Sequence, residues 1–359
     1  MKLLHEQVVG GIMITGLVTI GLIIAEKPEL PGWLNSPFFS AGTPRALSSI
    51  TISSVDWSAD GQKLLCRSRG SFNAQHSLSI HNVNDATAFT PAWGDVFAGG
   101  ILQASLAPDG LSVVLATHTG ELWWIDLETS AATELVPKSP QISFVATAIS
   151  HDGRLMAGSS DDGNVYLCDP THGDMTLLVA QQVTPALHLR FSSDGRRLLC
   201  ERTNGWLSLW DTLTAELLCE LSGYENSPTA AAFLPCGNRI IMLTGNDTVQ
   251  FRDVISGDTQ WHAAHGHFGN ASVDVTFDGK IAAWGGTLSN RIVIWDVENQ
   301  CKKFEIPSPA LVLHLSFSPD GTKLAVAGRE NVVRIYDVQN GKELRSIDVT
   351  SVFDSRTRS

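Results

Sequence analysis

The chain has 359 residues, of which 37 are acidic and 25 basic, so its formal net charge is −12 and its isoelectric point is near 5.3. This acidic balance, without any long run of basic residues, excludes the positively charged surface that nucleic-acid binders use. Only 17% of the residues are charged, and 31 glycines with 15 prolines are typical of a globular chain with frequent turns.

The first element along the chain is an apolar run from Val8 to Ala25, which contains no charged residue. As a helix it would extend about 27 Å, close to the hydrocarbon thickness of a bilayer. We therefore predict a single-pass membrane anchor over residues 1–25, followed by a proline-containing linker over residues 26–48. Two alternatives stay open: a cleaved signal peptide, which would make the protein secreted or periplasmic, and a buried strand.

The sequence does not determine on which side of the membrane the rest of the chain lies. Lys2 before the apolar run and Lys27 after it are both offset by nearby glutamates, and the slight excess of positive charge favours a cytoplasmic N-terminus. Six cysteines without disulfide or metal-binding spacing favour instead a reducing compartment for the remainder of the chain.

From about residue 49 onward, a unit made of a polar turn and a β-rich run occurs seven times. The residue before the turn glycine marks each unit, and successive markers are 49, 43 and then four times 42 residues apart. The markers are Asp60, Asp109, Asp152, Asp194, Cys236, Asp278 and Asp320. A period near 42 with short β segments predicts an all-β fold in which each unit forms one sheet.

A second pattern follows the markers at a fixed distance. In most units, a strand-like segment ends in an aspartate about seventeen residues after the marker. These residues are Asp126, Asp169, Asp211, Asp253, Asp296 and Asp337. Together with turns such as Ser318-Pro319-Asp320-Gly321, the units resemble the repeats of WD-repeat β-propellers, and the sixth and seventh units match best.

The resemblance implies a seven-bladed propeller over residues 49–350, with four antiparallel strands, a to d, in each blade and a tail at residues 351–359. It implies that the d–a and b–c loops share one face of the ring and that the six aspartates are structural turn residues. The family also ties its blades with a b–c aspartate bonded to a histidine. Only Asp162 and His267 occupy those positions, so the chain is identified as a divergent member.

The inner strand of each unit has a large apolar residue three positions before the marker, which predicts packing between blades. The position before it lies on the opposite face of the strand and has small residues in most units. Asp56, Arg190 and Asp274 are the exceptions, and polar groups on an inner strand need partners. We favour a structural role for them, and a ligand site at the central channel is the alternative.

The last unit has a strand-like segment, Leu344–Val349, at the position of a fourth strand. The equivalent place before the first unit contains Gly42 and Pro44, which form strands poorly. We therefore predict that the seventh blade is completed by its own C-terminal segment, without an N-terminal strand acting as a latch.

The loops of the first and second units are rich in aromatic residues. They correspond to a b–c loop and the following d–a loop, which share one face in the family. The residues are Phe72, Asn73, His76, Trp93 and Phe97. Aromatic side chains on loops are typical anchors of protein interfaces. We predict a protein-binding patch, with inward packing that caps the ring as the alternative.

Catalytic motifs, dinucleotide fingerprints and phosphate-binding loops do not occur in the sequence. The histidine cluster at positions 262, 265 and 267 has no cysteine nearby, so we expect no metal and no other cofactor. The sequence therefore predicts a membrane-tethered scaffold for protein–protein interaction that is not an enzyme. The alternative is a propeller enzyme or small-ligand binder that uses the central channel.

Overall fold

The structure is a computed structural model. It describes residues 51–69, 77–85, 87–89, 100–137, 142–170, 175–179, 184–202, 205–221, 228–235, 237–264, 268–269 and 271–349. These residues belong to a unit that spans residues 48–359. The predicted anchor, the linker and the tail at 351–359 lie outside the described residues. Among the described ones, no helix has the length and apolarity that crossing a bilayer requires.

The described chain forms 28 strands in seven antiparallel sheets, which we call blades one to seven. Blades one to three contain β1 (Thr51–Trp57), β2 (Lys63–Arg69), β3 (Ser77–Asn82), β4 (Ala88–Phe89), β5 (Ile101–Leu106), β6 (Ser112–Thr117), β7 (Leu122–Asp126), β8 (Ala132–Val136), β9 (Phe144–Ile149), β10 (Met156–Ser160), β11 (Val165–Cys168) and β12 (Met175–Val179). Blades four and five contain β13 (Ala186–Phe191), β14 (Arg197–Arg202), β15 (Leu207–Asp211), β16 (Leu217–Leu221), β17 (Pro228–Phe233), β18 (Arg239–Thr244), β19 (Thr248–Asp253) and β20 (Thr259–Ala264). Blades six and seven contain β21 (Ala271–Val275), β22 (Ile281–Gly286), β23 (Ser289–Asp296), β24 (Cys301–Pro307), β25 (Val312–Phe317), β26 (Lys323–Gly328), β27 (Val332–Asp337) and β28 (Glu343–Asp348).

Each blade is a four-stranded meander, because consecutive strands are hydrogen-bonded neighbours in all seven sheets. The predicted all-β propeller with seven four-stranded antiparallel blades is therefore confirmed. Burial falls from the second strand of a blade to the fourth. Every residue of β6 and β10 is buried, whereas none of β8 is. In several second strands the central residues are correspondingly apolar, such as Val113–Ala116 of β6 and Ile240–Leu243 of β18, since neighbouring blades cover both of their faces.

The core is divided into seven apolar clusters, each built from residues of two neighbouring blades. The large apolar residue three positions before each marker packs against one of these clusters. These residues are Trp57, Leu106, Ile149, Phe191, Phe233, Val275 and Phe317. The predicted packing between blades is confirmed, and burial of apolar surface between sheets holds the ring together.

The ring closes between blade seven and blade one. All four strands of blade seven come from the C-terminal part of the chain, and β28 supplies the outermost strand, as predicted. The two blades share an apolar cluster that includes Ile52 and Ile335. The Trp57 indole N–H also donates a hydrogen bond to the Ser316 carbonyl oxygen at 2.9 Å. Side-chain packing and individual hydrogen bonds therefore join the two ends of the described ring.

The turn after the inner strand explains why Asp-Gly recurs at the markers. In blade six, the Thr276 hydroxyl lies 2.7 Å from Asp278 Oδ1, and the Lys280 N–H donates to the same oxygen at 3.0 Å. The hydrogen bond from Thr276 lowers the pKa of Asp278. Gly279 has a φ of +72°, a conformation that strains other residues. Serine-to-aspartate bonds of the same kind occur in four other blades.

Candidate functional site

The seven inner strands surround a cavity of about 570 Å³ at the centre of the ring. The cavity lies where the inner strands run into their a–b turns, because its lining comes from strand ends and turn residues of all seven blades. The position four residues before each marker lines the cavity throughout the ring. These residues are Asp56, Ser105, Ala148, Arg190, Ala232, Asp274 and Ser316.

Two of the three charged residues in the cavity form an ion pair across blades. Arg190 Nη1 on β13 lies 4.0 Å from Asp274 Oδ1 on β21, and the two side chains are 30% and 22% exposed. Asp274 Oδ2 also accepts a hydrogen bond from the Phe317 N–H at 2.8 Å. Burial raises the pKa of Asp274, and Arg190 and the Phe317 N–H oppose that rise. The Asp274 carboxylate therefore has both a cation and a donor.

The third charged residue, Asp56 on β1, is in a different situation. No described residue donates a hydrogen bond to its carboxylate. Burial raises the pKa of Asp56 to about 6, because the loss of water outweighs the favourable charges of Arg190 and Arg67, and Asp274 adds repulsion. The negative charge of Asp56 is thus balanced by the charges of Arg190 and Arg67, without a hydrogen bond from any described residue.

Aromatic side chains line the same cavity, one position further along several of the inner strands. Trp57, Phe191 and Phe233 line the cavity and remain partly exposed within it. Because the Trp57 N–H is bonded to the Ser316 carbonyl, the orientation of its ring is fixed by a neighbouring blade. The cavity therefore combines charged groups with flat apolar surfaces.

Two turn residues bridge the mouth of the cavity. The rings of His151 in blade three and Phe277 in blade six have their centroids 5.1 Å apart, with an angle of 31° between their planes. Blades three and six are not neighbours in the ring, so this contact crosses the opening. Phe277 is 56% exposed, and both residues line the cavity.

A histidine of blade seven contacts the backbone of blade one. His314 Nδ1 on β25 lies 3.1 Å from the Val55 carbonyl oxygen and 3.4 Å from the Val55 nitrogen. Burial, together with the charge of Arg190, lowers the pKa of His314 to about 3. His314 is therefore neutral at physiological pH and contributes to the junction of blades one and seven.

The predicted protein-binding loop residues cannot be located, since Phe72, Asn73, His76, Trp93 and Phe97 all lie outside the described residues, as does His267. Asp162 lies in the b–c turn of blade three, where it accepts hydrogen bonds from the Ser160 hydroxyl and from the Asn164 N–H at 3.1 Å. It thus contacts its own turn.

The aspartates at the end of the third strands shape the c–d turns. Asp211 Oδ1 accepts hydrogen bonds from the N–H groups of Leu213 and Thr214 at 2.9 and 2.8 Å. Bonds of the same kind reach four further members of the set. They are Asp126, Asp253, Asp296 and Asp337. Asp169 lies at the same place in blade three, and most of the turn that follows it is outside the described residues.

Within the described part of the chain, no group of three or more histidine, cysteine or acidic side chains is arranged to hold a metal ion. The described cysteines are free thiols; Cys66, Cys168 and Cys200 are buried and Cys301 is exposed. Burial raises the pKa of Cys200 to about 12.

Sequence reasoning identified the three charged channel residues by their common offset but missed the bridge between His151 and Phe277. Each occupies the second position of its a–b turn, where blades one, four and seven have Ala59, Ser193 and Pro319. The aromatic residues His151 and Phe277 were therefore visible in the sequence, because they differ from the residues that these other blades have at the same position. The contact itself was not, because it joins turns of blades that are far apart in sequence.

Comparison with known proteins agrees with this architecture. A family model described as the anaphase-promoting complex subunit 4 WD40 domain matches residues 278–353. The protein LST8 homolog of Drosophila melanogaster is 29% identical over 116 residues, which cover 30% of this chain and 37% of that protein. An uncharacterized WD repeat-containing protein of Synechocystis sp. is 25% identical over 67% of this chain and 69% of its own length.

Two further comparisons extend over most of the ring. COMPASS component SWD3 of Saccharomyces cerevisiae is 21% identical over 64% of this chain and 78% of its own length. A chain in the crystal structure of the Mitotic Checkpoint Complex superposes with a TM-score of 0.60 and 15% identity, over 68% of this chain and 76% of that one. The seven blades, the turn chemistry and these matches define a repeat propeller. In fold and in repeat pattern the chain is similar to WD-repeat β-propellers.

Proposed function

We propose that the chain is a membrane-tethered propeller that acts as a scaffold for protein–protein interaction. A ring of packed blades is a rigid frame on which turns and loops present side chains to other molecules. One relative is a component of COMPASS, and the fold neighbour comes from a checkpoint complex. Membership of multi-protein assemblies among such propellers supports the same type of role here, by analogy of fold.

The main observation behind the proposal is an exposed aliphatic pair on adjacent blades. Leu213 in the c–d turn of blade four is 90% exposed, and Ile255 at the same place in blade five is 69% exposed. Blades two, six and seven have Glu128, Glu298 and Gln339 at that position. A single exposed leucine is ordinary, but two aliphatic side chains at equivalent tips of neighbouring turns are typical of a contact surface.

The predicted loop patch of Phe72, Asn73, His76, Trp93 and Phe97 would form a second contact surface. In the family it belongs to the face opposite the c–d turns. A scaffold with one contact surface on each face of the ring could hold two partners at once.

The tether is proposed from the apolar run at residues 8–25, with the side of the membrane left open. Fractionation of cells that express the full-length chain tests it. We expect the chain in the membrane fraction, resistant to extraction with high salt and released by detergent. Recovery of the unprocessed chain in the soluble fraction would contradict the tether, and recovery of a shortened chain outside the cell would favour the signal peptide.

The scaffold role is tested by affinity purification of the tagged full-length chain, followed by mass spectrometry. We expect a specific set of co-purified proteins, part of which is lost in a variant with Leu213→Glu and Ile255→Glu. Trp93→Ala tests the loop patch in the same way. The matched control is Gln339→Glu, which places the same acidic group at the equivalent turn of blade seven. Retention of every partner in all variants would contradict both surfaces.

A further inference from the structure

We propose that the cavity at the turn end of the channel binds a small organic cation, a protonated amine with an apolar body, and that Asp56 is its counter-ion. The proposal rests on the unequal pairing of the two carboxylates, on the aromatic walls and on the size of the cavity. It is independent of the scaffold function, because Leu213 and Ile255 are not among the residues that line the cavity.

The unequal pairing of the carboxylates identifies the counter-ion. Asp274 has the Arg190 guanidinium at 4.0 Å and the Phe317 N–H at 2.8 Å, so its charge is already compensated. Asp56 receives no hydrogen bond from any described residue, although it lies among the residues that line the same cavity. Asp56 is only partly exposed within the cavity, and a carboxylate shielded from water without a protein donor is costly. An ammonium group supplies both the missing charge and the missing hydrogen bonds.

The aromatic walls fit the other part of such a ligand. Trp57 follows Asp56 directly on β1, and Phe191 and Phe233 line the same cavity from blades four and five. Aromatic faces attract cations and cover apolar groups equally well. Three aromatic side chains that line the same cavity as the carboxylate therefore favour an amine with an apolar body over an anion or a neutral polar ligand.

The volume and the mouth limit the size of the ligand. A cavity of about 570 Å³ is within the range of small-molecule sites. The contact between His151 and Phe277 crosses the opening, so a ligand enters by displacing one of these two exposed rings. A small molecule requires only a rotation of a side chain, whereas a folded protein domain would be blocked by the turns.

Binding should depend on pH through Asp56. Its pKa is raised to about 6, so its charge is lost below that pH and the cation loses its counter-ion. The charges that act on Asp56 are those of Arg190, Asp274 and Arg67, and Asp56 in turn acts on Cys66 of β2. His188 on β13 and His314 on β25 are within reach of the same two arginines. Burial raises the pKa of the Cys66 thiol and lowers the pKa of His314 to about 3, so neither group is charged near pH 6. Within this set, Asp56 is the group whose pKa is raised to about 6, and burial also raises the pKa of Asp274.

The test is a ligand-observed NMR titration of the full-length chain with three probes of similar shape. They are phenethylamine, the neutral phenethyl alcohol and the anionic hydrocinnamate. We expect the amine to bind and the alcohol to bind about 10- to 100-fold more weakly, which is the contribution of a charge-assisted hydrogen bond. Lowering the pH from about 7.5 to about 5 should weaken amine binding about tenfold, since one carboxyl in ten or so stays ionised.

Variants assign the counter-ion. Asp56→Asn should weaken amine binding about as much as removing the charge from the ligand, and it keeps the size of the side chain. Asp161→Asn is the matched control, because it makes the same change on an exposed turn outside the cavity. Preferred binding of hydrocinnamate, loss of amine binding in Asp274→Asn but not in Asp56→Asn, or no binding of the amine at all would each overturn the proposal.

Discussion

Four residues before the turn marker, on the inner strand, the seven blades have two kinds of side chain although their backbones are closely similar. Four blades have serine or alanine there, and three have Asp56, Arg190 or Asp274. The next position along the strand does not vary in this way, because every blade has a large apolar residue there that packs between blades. The fold therefore requires an apolar residue three positions before the marker, whereas the residue four positions before the marker is free to vary. Charges placed at a position that the fold does not require point to function.

The largest effect we expect comes from breaking the ion pair in the channel. Arg190→Met removes the cation that lies 4.0 Å from Asp274 and whose charge also acts on Asp56. We expect a loss of about 3 kcal/mol in the free energy of unfolding near neutral pH, as for other partly buried pairs that lose one partner. The loss should shrink as the pH falls through about 6, because Asp56 then takes up a proton, and it should shrink further once Asp274, whose pKa burial also raises, is protonated.

Denaturant unfolding at several pH values measures this difference. Arg196→Met is the matched control, since Arg196 is exposed on the a–b turn of the same blade. An equal, pH-independent loss in both variants would show that the ion pair between Arg190 and Asp274 contributes no more to stability than an exposed arginine does.

The next effect has the opposite sign. Asp56 has a folded-state pKa of about 6 against an ordinary value of 3.8, so the folded state binds its proton more tightly than the unfolded state does. Stability therefore falls as the pH rises from about 4 to about 6, and Asp56→Asn removes that penalty. We expect a gain on the order of 1–3 kcal/mol near pH 7.5 and almost none near pH 4. Thermal unfolding checks it, and a loss of stability at pH 7.5 would mean that Asp56 has partners that compensate it.

A smaller effect should separate blades with and without the turn serine. Ser318 donates to Asp320 and accepts from the Lys323 N–H at 2.9 Å, whereas blade two has Ala107 at the same place. Ser318→Ala should lower the free energy of unfolding by about 1 kcal/mol, the usual contribution of such a bond. Ala107→Ser, the reverse change, should raise it by a similar or smaller amount. If both variants unfold at the same denaturant concentration as the parent chain, the recurrent hydroxyl has no role in stability.

The smallest effect on stability belongs to the turn tips. Leu213→Glu and Ile255→Glu replace side chains that are 90% and 69% exposed, so each should change the free energy of unfolding by less than about 0.5 kcal/mol. Denaturant unfolding measures it. A loss well above that value would indicate that these residues pack within the chain, and would remove the argument for a contact surface.

Much of the architecture could be predicted from the sequence, because the same local bonds are made seven times. The Asp-Gly turn requires a hydroxyl or backbone donor, a carboxylate and a residue with positive φ, and these residue types are visible at a fixed spacing. The fourth strand at 343–348 was predicted in the same way. The apolar run at residues 8–25 and the loop patch have no such repetition, and both remain predictions.

The charged channel residues were also visible from the repeat, but their pairing was not. A common offset places Asp56, Arg190 and Asp274 at a similar height in the channel. Whether Arg190 approaches one carboxylate or the other depends on distances across the ring, which no local pattern contains. The bridge between His151 and Phe277 was missed for the same reason.

By itself, the sequence determined that the chain builds seven similar sheets, because hydrogen bonds within a turn and packing between neighbouring strands are fixed by residues close together in sequence. Only the tertiary structure decided which carboxylate of the channel has a partner and which aromatic rings face the cavity. Those relations join blades that are not neighbours, and they depend on the curvature of the closed ring and on how far each side chain reaches into it.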